Sequence, residues 1–527
     1  MTHLDPSARP EGDPVQRRIR GADVAVPGLC PESGADFAAL EPARGGIRVQ
    51  PRHPLIEMLL VAAPTVVTMT SYTVMQFIDG LMVSRIGPDP IYLDAQGNGG
   101  LAAFVPIAMV MGLSTVINTF VAQNLGAGRP ERGSAYAWAG LWICAVWAAA
   151  LLPATLVLEP SFRWIGHSQR LVGLESGYAR ILLMGAFLTM ATRSISHFFY
   201  GLHRPGAVMI AALVGNGVNV AVNYALIFGN WGLPEMGVAG AAIGTVVGSA
   251  VELSIPLSVF LSAGFNRRYA TRRAWRPNRR VILDVLRLGW PAGLMMANEI
   301  ICWAILLIDF IARFGDVHNA AGWIALRYMH LSFMPAVGIS IAVTAIVGRC
   351  MGMGRVDLAQ RRAWLGLGIT CAYMGLCALA FVLLREQLVA VYIKDGMPAE
   401  QVEELIRVGS WVMILAGIFQ VFDAIAISLV GALRGAGDTL WPGVATIALS
   451  WTFIVGGGYA FVVLAPGLES IGPWIGASAY IITLGLAVLG RFLGGKWKRI
   501  QLVDASDGRA RAYRPAEPRE PTAAGAV

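Results

Sequence analysis

Val121-Ala-Gln-Asn-Leu-Gly-Ala-Gly-Arg129 returns in altered form as Val347-Gly-Arg-Cys-Met-Gly-Met-Gly-Arg355. Outward from these two stretches the chain matches itself in order. Upstream, Pro64 inside an apolar run answers to Pro291, and Gly87 at the end of that run answers to Gly315. Downstream, Trp138 answers to Trp364, and Gly201-Leu-His-Arg204 answers to Gly431-Ala-Leu-Arg434. The offset stays near ~227 residues throughout, as a duplicated unit requires. Each copy holds about six apolar stretches long enough to cross a bilayer. The expected fold is an all-α integral membrane protein, with twelve transmembrane helices in two six-helix bundles related as a parallel internal repeat.

Composition agrees. Of 527 residues, 56% are hydrophobic and 14% charged, which is far from the usage of a soluble domain. A β-barrel is excluded because the apolar runs are continuous and do not alternate. The net charge of +8 does not point to nucleic acid, since the basic residues sit in short loops. The densest run, residues 266–280, reads as a positive-inside loop, with anionic lipid headgroups as the lesser alternative. The six cysteines lack metal or redox spacing and read as small core hydrophobes, and no cofactor is expected.

Spans are expected near 55–84, 100–125, 134–158, 178–200, 207–229 and 237–263, then near 284–313, 321–348, 362–384, 405–431, 440–464 and 472–493. The organisation is a disordered cytoplasmic tail (1–53), an N-lobe (54–265), a basic cytoplasmic linker (266–280), a C-lobe (281–495) and a second cytoplasmic tail (496–527). The excess of Arg and Lys in alternate loops puts both termini in the cytoplasm of a multi-pass protein of the cell (inner or plasma) membrane. Six spans per copy is an even number, so both copies enter from the same side. Small residues such as those of Gly237–Thr245 let helix backbones approach closely.

An ionisable side chain at bilayer depth costs about 2.5–3.5 kcal/mol on insertion scales, so each is a functional candidate. Asp79, Glu299 and Asp423 fall at such depth. Loss of water disfavours the charged carboxylate, which makes proton exchange available to each. Asn216, Asn219 and Asn223 recur at i, i+3 and i+7 and share one helix face. Facing Asp79, they supply carbonyl ligands to a cation or hydrogen bonds to the carboxyl; interhelical polar contact is the alternative. The repeat puts the counterpart of Asp79 near Leu306 or Leu307 and that of Glu299 at Tyr72, so the acids are not duplicated. Arg193 and Glu252 are expected to form a buried structural ion pair, and Asp309 and Arg313, one turn apart, a local one. Arg327 and His330 are less decisive, a lone membrane histidine being more often a satisfied core residue. Met295, Met296, Phe333, Met334 and Phe419 offer a soft apolar surface.

Enzyme chemistry finds no foothold: there is no His-Glu-x-x-His, Walker loop, Gly-x-Ser-x-Gly elbow or paired-cysteine site. Without an ATP site, a transporter must be a secondary one.

Several of these segments resemble the multidrug and toxic compound extrusion (MATE) family, in particular its NorM-type branch. The segments are Gln76-Phe-Ile-Asp-Gly80, Val121–Gly128, Asn219–Gly229, Gly232–Ala241 and Gly431-Ala-Leu-Arg-Gly-Ala-Gly-Asp-Thr439. The likeness covers about residues 54–495. It implies that Glu299, eight residues after Pro291, and Asp423, eight before Gly431, are the C-lobe carboxylates that bind the coupling cation. Na+ would bind at Glu299 and Asp423, but Phe419 stands where that branch often has tyrosine, so the ion expected is H+ before Na+. Asn216, Phe419, Gln420 and Arg327 are secondary site candidates. The implied function is a monomeric multidrug efflux antiporter that exchanges organic, cationic or amphipathic compounds for H+ or Na+. Its partners are drug-like small molecules and the bilayer. The rivals are a lipid-linked oligosaccharide flippase of the same superfamily and, more distantly, a membrane-embedded lipid-modifying enzyme.

Overall fold

In a bilayer the backbone has no water to bond, so long apolar runs close their hydrogen bonds internally as helices. The computed structural model describes residues 53–393 and 397–503. The tail readings for residues 1–52 and 504–527 lie outside the described residues.

Eleven of the described helices are long and apolar enough to span a membrane. They are α1 (Pro54–Val83), α2 (Ile91–Gly126), α3 (Pro130–Leu156), α5 (Gly206–Phe228), α6 (Val238–Leu261), α7 (Arg279–Phe314), α8 (Asp316–Gly352), α9 (Val356–Leu383), α10 (Ala399–Ala436), α11 (Leu440–Leu464) and α12 (Ile471–Leu493). The twelfth span, α4, joins Gln169–Met184 to Ala186–Gly201 with a 47° bend at Gly185. The fold is thus all-helical with two bundles, α1–α6 and α7–α12. Several helices begin earlier than hydropathy suggests: α2 starts at Ile91 and α10 at Ala399, because the polar stretches 94–100 and 400–404 continue the helix beyond the apolar run. In α7 a π-helical segment, Ile305–Ile311, accommodates the extra residue by which the offset grows between Pro291 and Gly315.

The bundles meet in a pseudo-symmetric way. The first helix of each copy rests on the second helix of the other, α1 on α8 and α7 on α2, and α2 also packs on α8. At the α2–α8 crossing a methyl group on Gly126 would collide with the carbonyl of Arg349, and one on Gly352 with that of Gln123. The freed space lets polar side chains reach backbone across the interface. Thr65 Oγ1 donates to the Gly338 carbonyl (2.8 Å), Asn118 Nδ2 to that of Ile341 (3.1 Å), Thr119 Oγ1 to that of Arg434 (2.8 Å) and Gln123 Nε2 to that of Gly435 (3.0 Å). Arg362 of α9 pairs with Glu57 of α1 at 3.1 Å. The lobes are therefore closed at the face that carries the α2–α3 and α8–α9 loops.

Two segments expected to be solvated are docked. In the 266–280 linker, Tyr269 and Thr271 are buried; their carbonyls accept from Ser134 Oγ (2.7 Å) and Trp138 Nε1 (2.8 Å) of α3. After α12, residues expected to begin a free tail pack back on the protein. Trp497 is fully buried and stacks on Phe492 with centroids 4.9 Å apart, and Phe492 meets Trp364 edge-on. Leu502 joins an apolar cluster with Leu113 and Phe120 of α2, Tyr136 of α3 and Leu288 of α7. Gly437, at φ 96°, ends α10 directly beneath Leu502, where a side chain would collide. Emptying a buried aromatic site costs about 3–5 kcal/mol. Trp497→Ala should therefore lower the thermal midpoint of the detergent-purified protein by several degrees, and an unchanged midpoint would mean that this segment contributes nothing to the fold.

Candidate functional site

Three polar clusters stand within the spans. The first joins α1, α5 and α6. Asp79 is 7% exposed, and its Oδ1 accepts from Asn223 Nδ2 at 2.7 Å. Asn223 also donates to Asn219 Oδ1 (3.3 Å), and Asn219 donates to Thr245 Oγ1 of α6 (3.4 Å). Gly244 allows this approach, since a Cβ there would strike Asn223. The helix spacing thus delivers two of the three asparagines to Asp79. Asn216, two turns below Asn223, instead donates to Ser71 Oγ (3.0 Å). It borders an apolar cavity of about 580 Å3 between α1 and α5, walled by Val67, Thr70, Val74, Ile78 and Leu213.

The second cluster corrects the expected Arg193–Glu252 ion pair. Among the described residues these two make no direct ion pair; Tyr72 of α1 stands between them. Its hydroxyl donates to Glu252 Oε1 of α6, and the Arg193 guanidinium lies 3.8 Å over its ring. Arg193 still feels the Glu252 charge. A ring face attracts a cation, and the attraction grows when both are out of water.

The third cluster is in the second bundle. Glu299 Oε1 of α7 accepts from Tyr480 Oη of α12 at 2.8 Å. Asp423 of α10 faces Glu299 closely enough for the two charges to repel, and it makes no hydrogen bond to another described residue. Arg434 lies within electrostatic reach of Glu299. Next to Glu299 in α7, Asn298 donates to Ser450 Oγ (2.8 Å) and accepts from Trp451 Nε1 (2.7 Å), tying α7 to α11.

Phe419 and Gln420 precede Asp423 by about one turn of α10, but the secondary candidates make their contacts with other groups. Phe419 is 1% exposed and packs inside the bundle, so it lines no open surface. Gln420 donates to Ser332 Oγ of α8. Arg327 is exposed, with its guanidinium 5.8 Å from the Tyr392 ring. His330 packs near Phe333 at 6.4 Å. Asp309 and Arg313 pair at 2.7 Å, as one-turn spacing suggests. Sequence reasoning missed Tyr480 and Ser450 because a neutral hydroxyl in an apolar helix carries no cost that marks it; the usable hint was that a carboxylate at that depth needs a donor.

If Tyr72 mediates the second cluster, removing one charge leaves the other buried alone, typically a loss of about 3–5 kcal/mol. Arg193→Ala and Glu252→Ala should each lower folded yield, and the double variant should recover part of it. In a Tyr72→Phe background the coupling between the two should shrink. A thermal-stability cycle measures this, and strictly additive losses would break the cluster into unrelated residues.

The MatE family model matches residues 64–225 and 291–457, which are the two copies. The "Probable multidrug resistance protein NorM" of Deinococcus radiodurans is 30% identical over 441 residues, 83% of this chain and 94% of that protein. The "Multidrug resistance protein PmpM" of Pseudomonas aeruginosa is 27% identical, over 88% of this chain and 97% of that one. Two solved structures share the fold at 22% identity and TM-score 0.76. One is described as an outward-facing multidrug resistance MATE family transporter and covers 87% of this chain and 100% of that one. The other is a Pyrococcus furiosus transporter of the MOP superfamily described as having a binding pocket of reverse polarity, matched over 85% of this chain and 97% of that one.

Proposed function

As the chain belongs to the MATE family of membrane transporters, we propose that it is a secondary active multidrug efflux antiporter, which expels organic cationic or amphipathic compounds in exchange for H+ or Na+ by alternating access. The observation that carries this reading is the pair of carboxylates, Glu299 and Asp423, within electrostatic reach of one another inside the second bundle, with a single hydroxyl donor, Tyr480 of α12, on Glu299. Two like charges in such a site attract a single positive charge, and a proton or a drug cation can supply it. Mutual exclusion at that charge lets one gradient drive the other. The apolar cavity between α1 and α5 is within the size range of drug sites and suits a substrate that is largely hydrophobic. The names of the NorM and PmpM relatives point the same way.

H+ is favoured as the coupling ion. A bound Na+ needs several oxygens to replace its water. Here Phe419 has no hydroxyl, and the Gln420 amide is turned to Ser332. Asp79, with its asparagine donors, is the second candidate for ion or substrate contact, in the other lobe.

The proposed orientation has both termini in the cytoplasm. The closed face, with Arg129 and Arg355 in its loops and Arg132 and Arg361 at the helix starts beside them, is then cytoplasmic, and the carboxylates are reached from outside. A cysteine at Arg276, an exposed position in the basic segment, should escape an impermeant maleimide added to intact cells and react once the membrane is opened; labelling of intact cells would reverse the topology. In proteoliposomes with pH and Na+ gradients imposed separately, Glu299→Gln and Asp423→Asn should each abolish gradient-driven efflux of a dye cation from a correctly inserted protein. Asp79→Asn should reduce it. Wild-type transport by both C-lobe variants would make these residues structural and end the mechanism.

A further inference from the structure

The repeat aligns the second and third clusters. Tyr72 lies eight residues after Pro64, as Glu299 lies eight after Pro291. Arg193 lies eight residues before Gly201, as Asp423 lies eight before Gly431. In each lobe a phenol–carboxylate hydrogen bond joins the first helix to the sixth, with its ends exchanged: Tyr72 donates to Glu252 in one lobe, and Tyr480 donates to Glu299 in the other. The remaining member comes from the fourth helix of each lobe, Arg193 over the Tyr72 ring and Asp423 opposite Glu299. One frame thus carries two charge sets. The C-lobe set is two carboxylates and a phenol, and it lacks a positive charge of its own. The N-lobe set is one carboxylate, a phenol and a guanidinium, and it is neutral.

We propose that Arg193 is a tethered cation, filling the N-lobe counterpart of the C-lobe cation pocket and confining exchangeable cation binding at this pair of sites to the C-lobe. The proposal rests on the reading of Glu299 and Asp423 as the exchange site. A guanidinium does not give up its proton in a protein, and its stem cannot diffuse away. Glu252 therefore keeps its countercharge through the whole cycle, and no gradient acts through it. The duplicated frame would otherwise present two exchangeable pockets; Arg193 leaves one, and so sets how many ions move per turnover through these sites.

The titratable neighbours of Arg193 are Tyr72, Glu252, Tyr200 and His197, with Arg434 reaching His197 from α10. Arg193→Asp leaves two carboxylates and a phenol, the same chemical set as the C-lobe pocket. The test uses the full-length protein in detergent, carrying Glu299→Gln and Asp423→Asn so that the C-lobe pocket is silent. Adding Arg193→Asp to that background should create a saturable rise in thermal midpoint with increasing Na+ or H+ concentration, absent from the background itself. Arg193→Ala should be rescued by millimolar methylguanidinium, which restores the missing cation without the tether, and not by equimolar urea. A folded Arg193→Asp protein whose midpoint is indifferent to both cations overturns the proposal, as does one that folds at no pH or Na+ concentration, since an outside cation should replace the lost guanidinium. The exchange-site reading fails separately: there, silencing Glu299 and Asp423 would leave the cation dependence of the otherwise wild-type protein unchanged.

Discussion

Where α2 and α8 cross, backbone lies on backbone: Gly126 against the carbonyl of Arg349, and Gly352 against that of Gln123. Neither position admits a Cβ, and the repeat supplies both glycines from one ancestral position. Between helices in lipid the hydrophobic effect offers no drive, so close approach and polar contact must hold them together. Thr65, Asn118, Thr119 and Gln123 provide that contact by donating to carbonyls of the facing lobe. An interface of this kind is specific in register, because each polar donor must meet its own carbonyl. Leu502 and Ile500 reinforce the same face, since their cluster draws on α2 and α3 from one lobe and α7 from the other.

On this symmetric skeleton the charges are arranged asymmetrically. Asp79 has two asparagines, Glu252 has Tyr72 and Arg193, and Glu57 has Arg362, so each of these acids is matched where it lies. Glu299 and Asp423 are different. Glu299 has the Tyr480 hydroxyl, Asp423 has no hydrogen bond to another described residue, and Arg434 acts on Glu299 only at a distance. A breach of local charge balance at bilayer depth is costly and persists where function uses it. Glu299 and Asp423 repel one another and make no ion pair among the described residues, so an added positive charge would relieve both.

Much of this was legible in the sequence because lipid leaves few alternatives. A continuous apolar run must be a helix, and a repeated set of prolines and glycines must be a repeated bundle. The acids announced themselves by their cost. What stayed hidden was cheap or masked. Tyr480 and Ser332 are neutral and ordinary in an apolar helix. The docked segment after α12 was hidden by Lys496, Lys498 and Arg499, whose charges dilute the signal of Trp497 and Leu502. The basic linker conceals its contacts in the same way: its arginines are exposed while Tyr269 and Thr271 are buried. Arg193 and Glu252 were paired from depth and sign alone, which cannot reveal a ring placed between them.

The two π-helical segments fall in the second bundle, at Ile305–Ile311 of α7 and Ser450–Gly457 of α11. Ser450, the first residue of the second segment, accepts from Asn298 of α7, the residue before Glu299. A π-turn has fewer well-formed i→i−4 bonds to lose and is a place where a helix changes direction or register. α1, the counterpart of α7, is α-helical throughout and carries Asp79 where α7 carries Leu306 or Leu307. Glu299 thus lies six residues before the π-helical segment of its own helix, whereas Tyr72 and Asp79 lie on a first helix that is α-helical throughout. A positive charge between Glu299 and Asp423 would relieve their repulsion within two turns of the π-helical segment of α7. On the proposed reading of these acids as the exchange site, charge and backbone irregularity coincide in one lobe, which would give ion binding a mechanical route to the helices that close the interface.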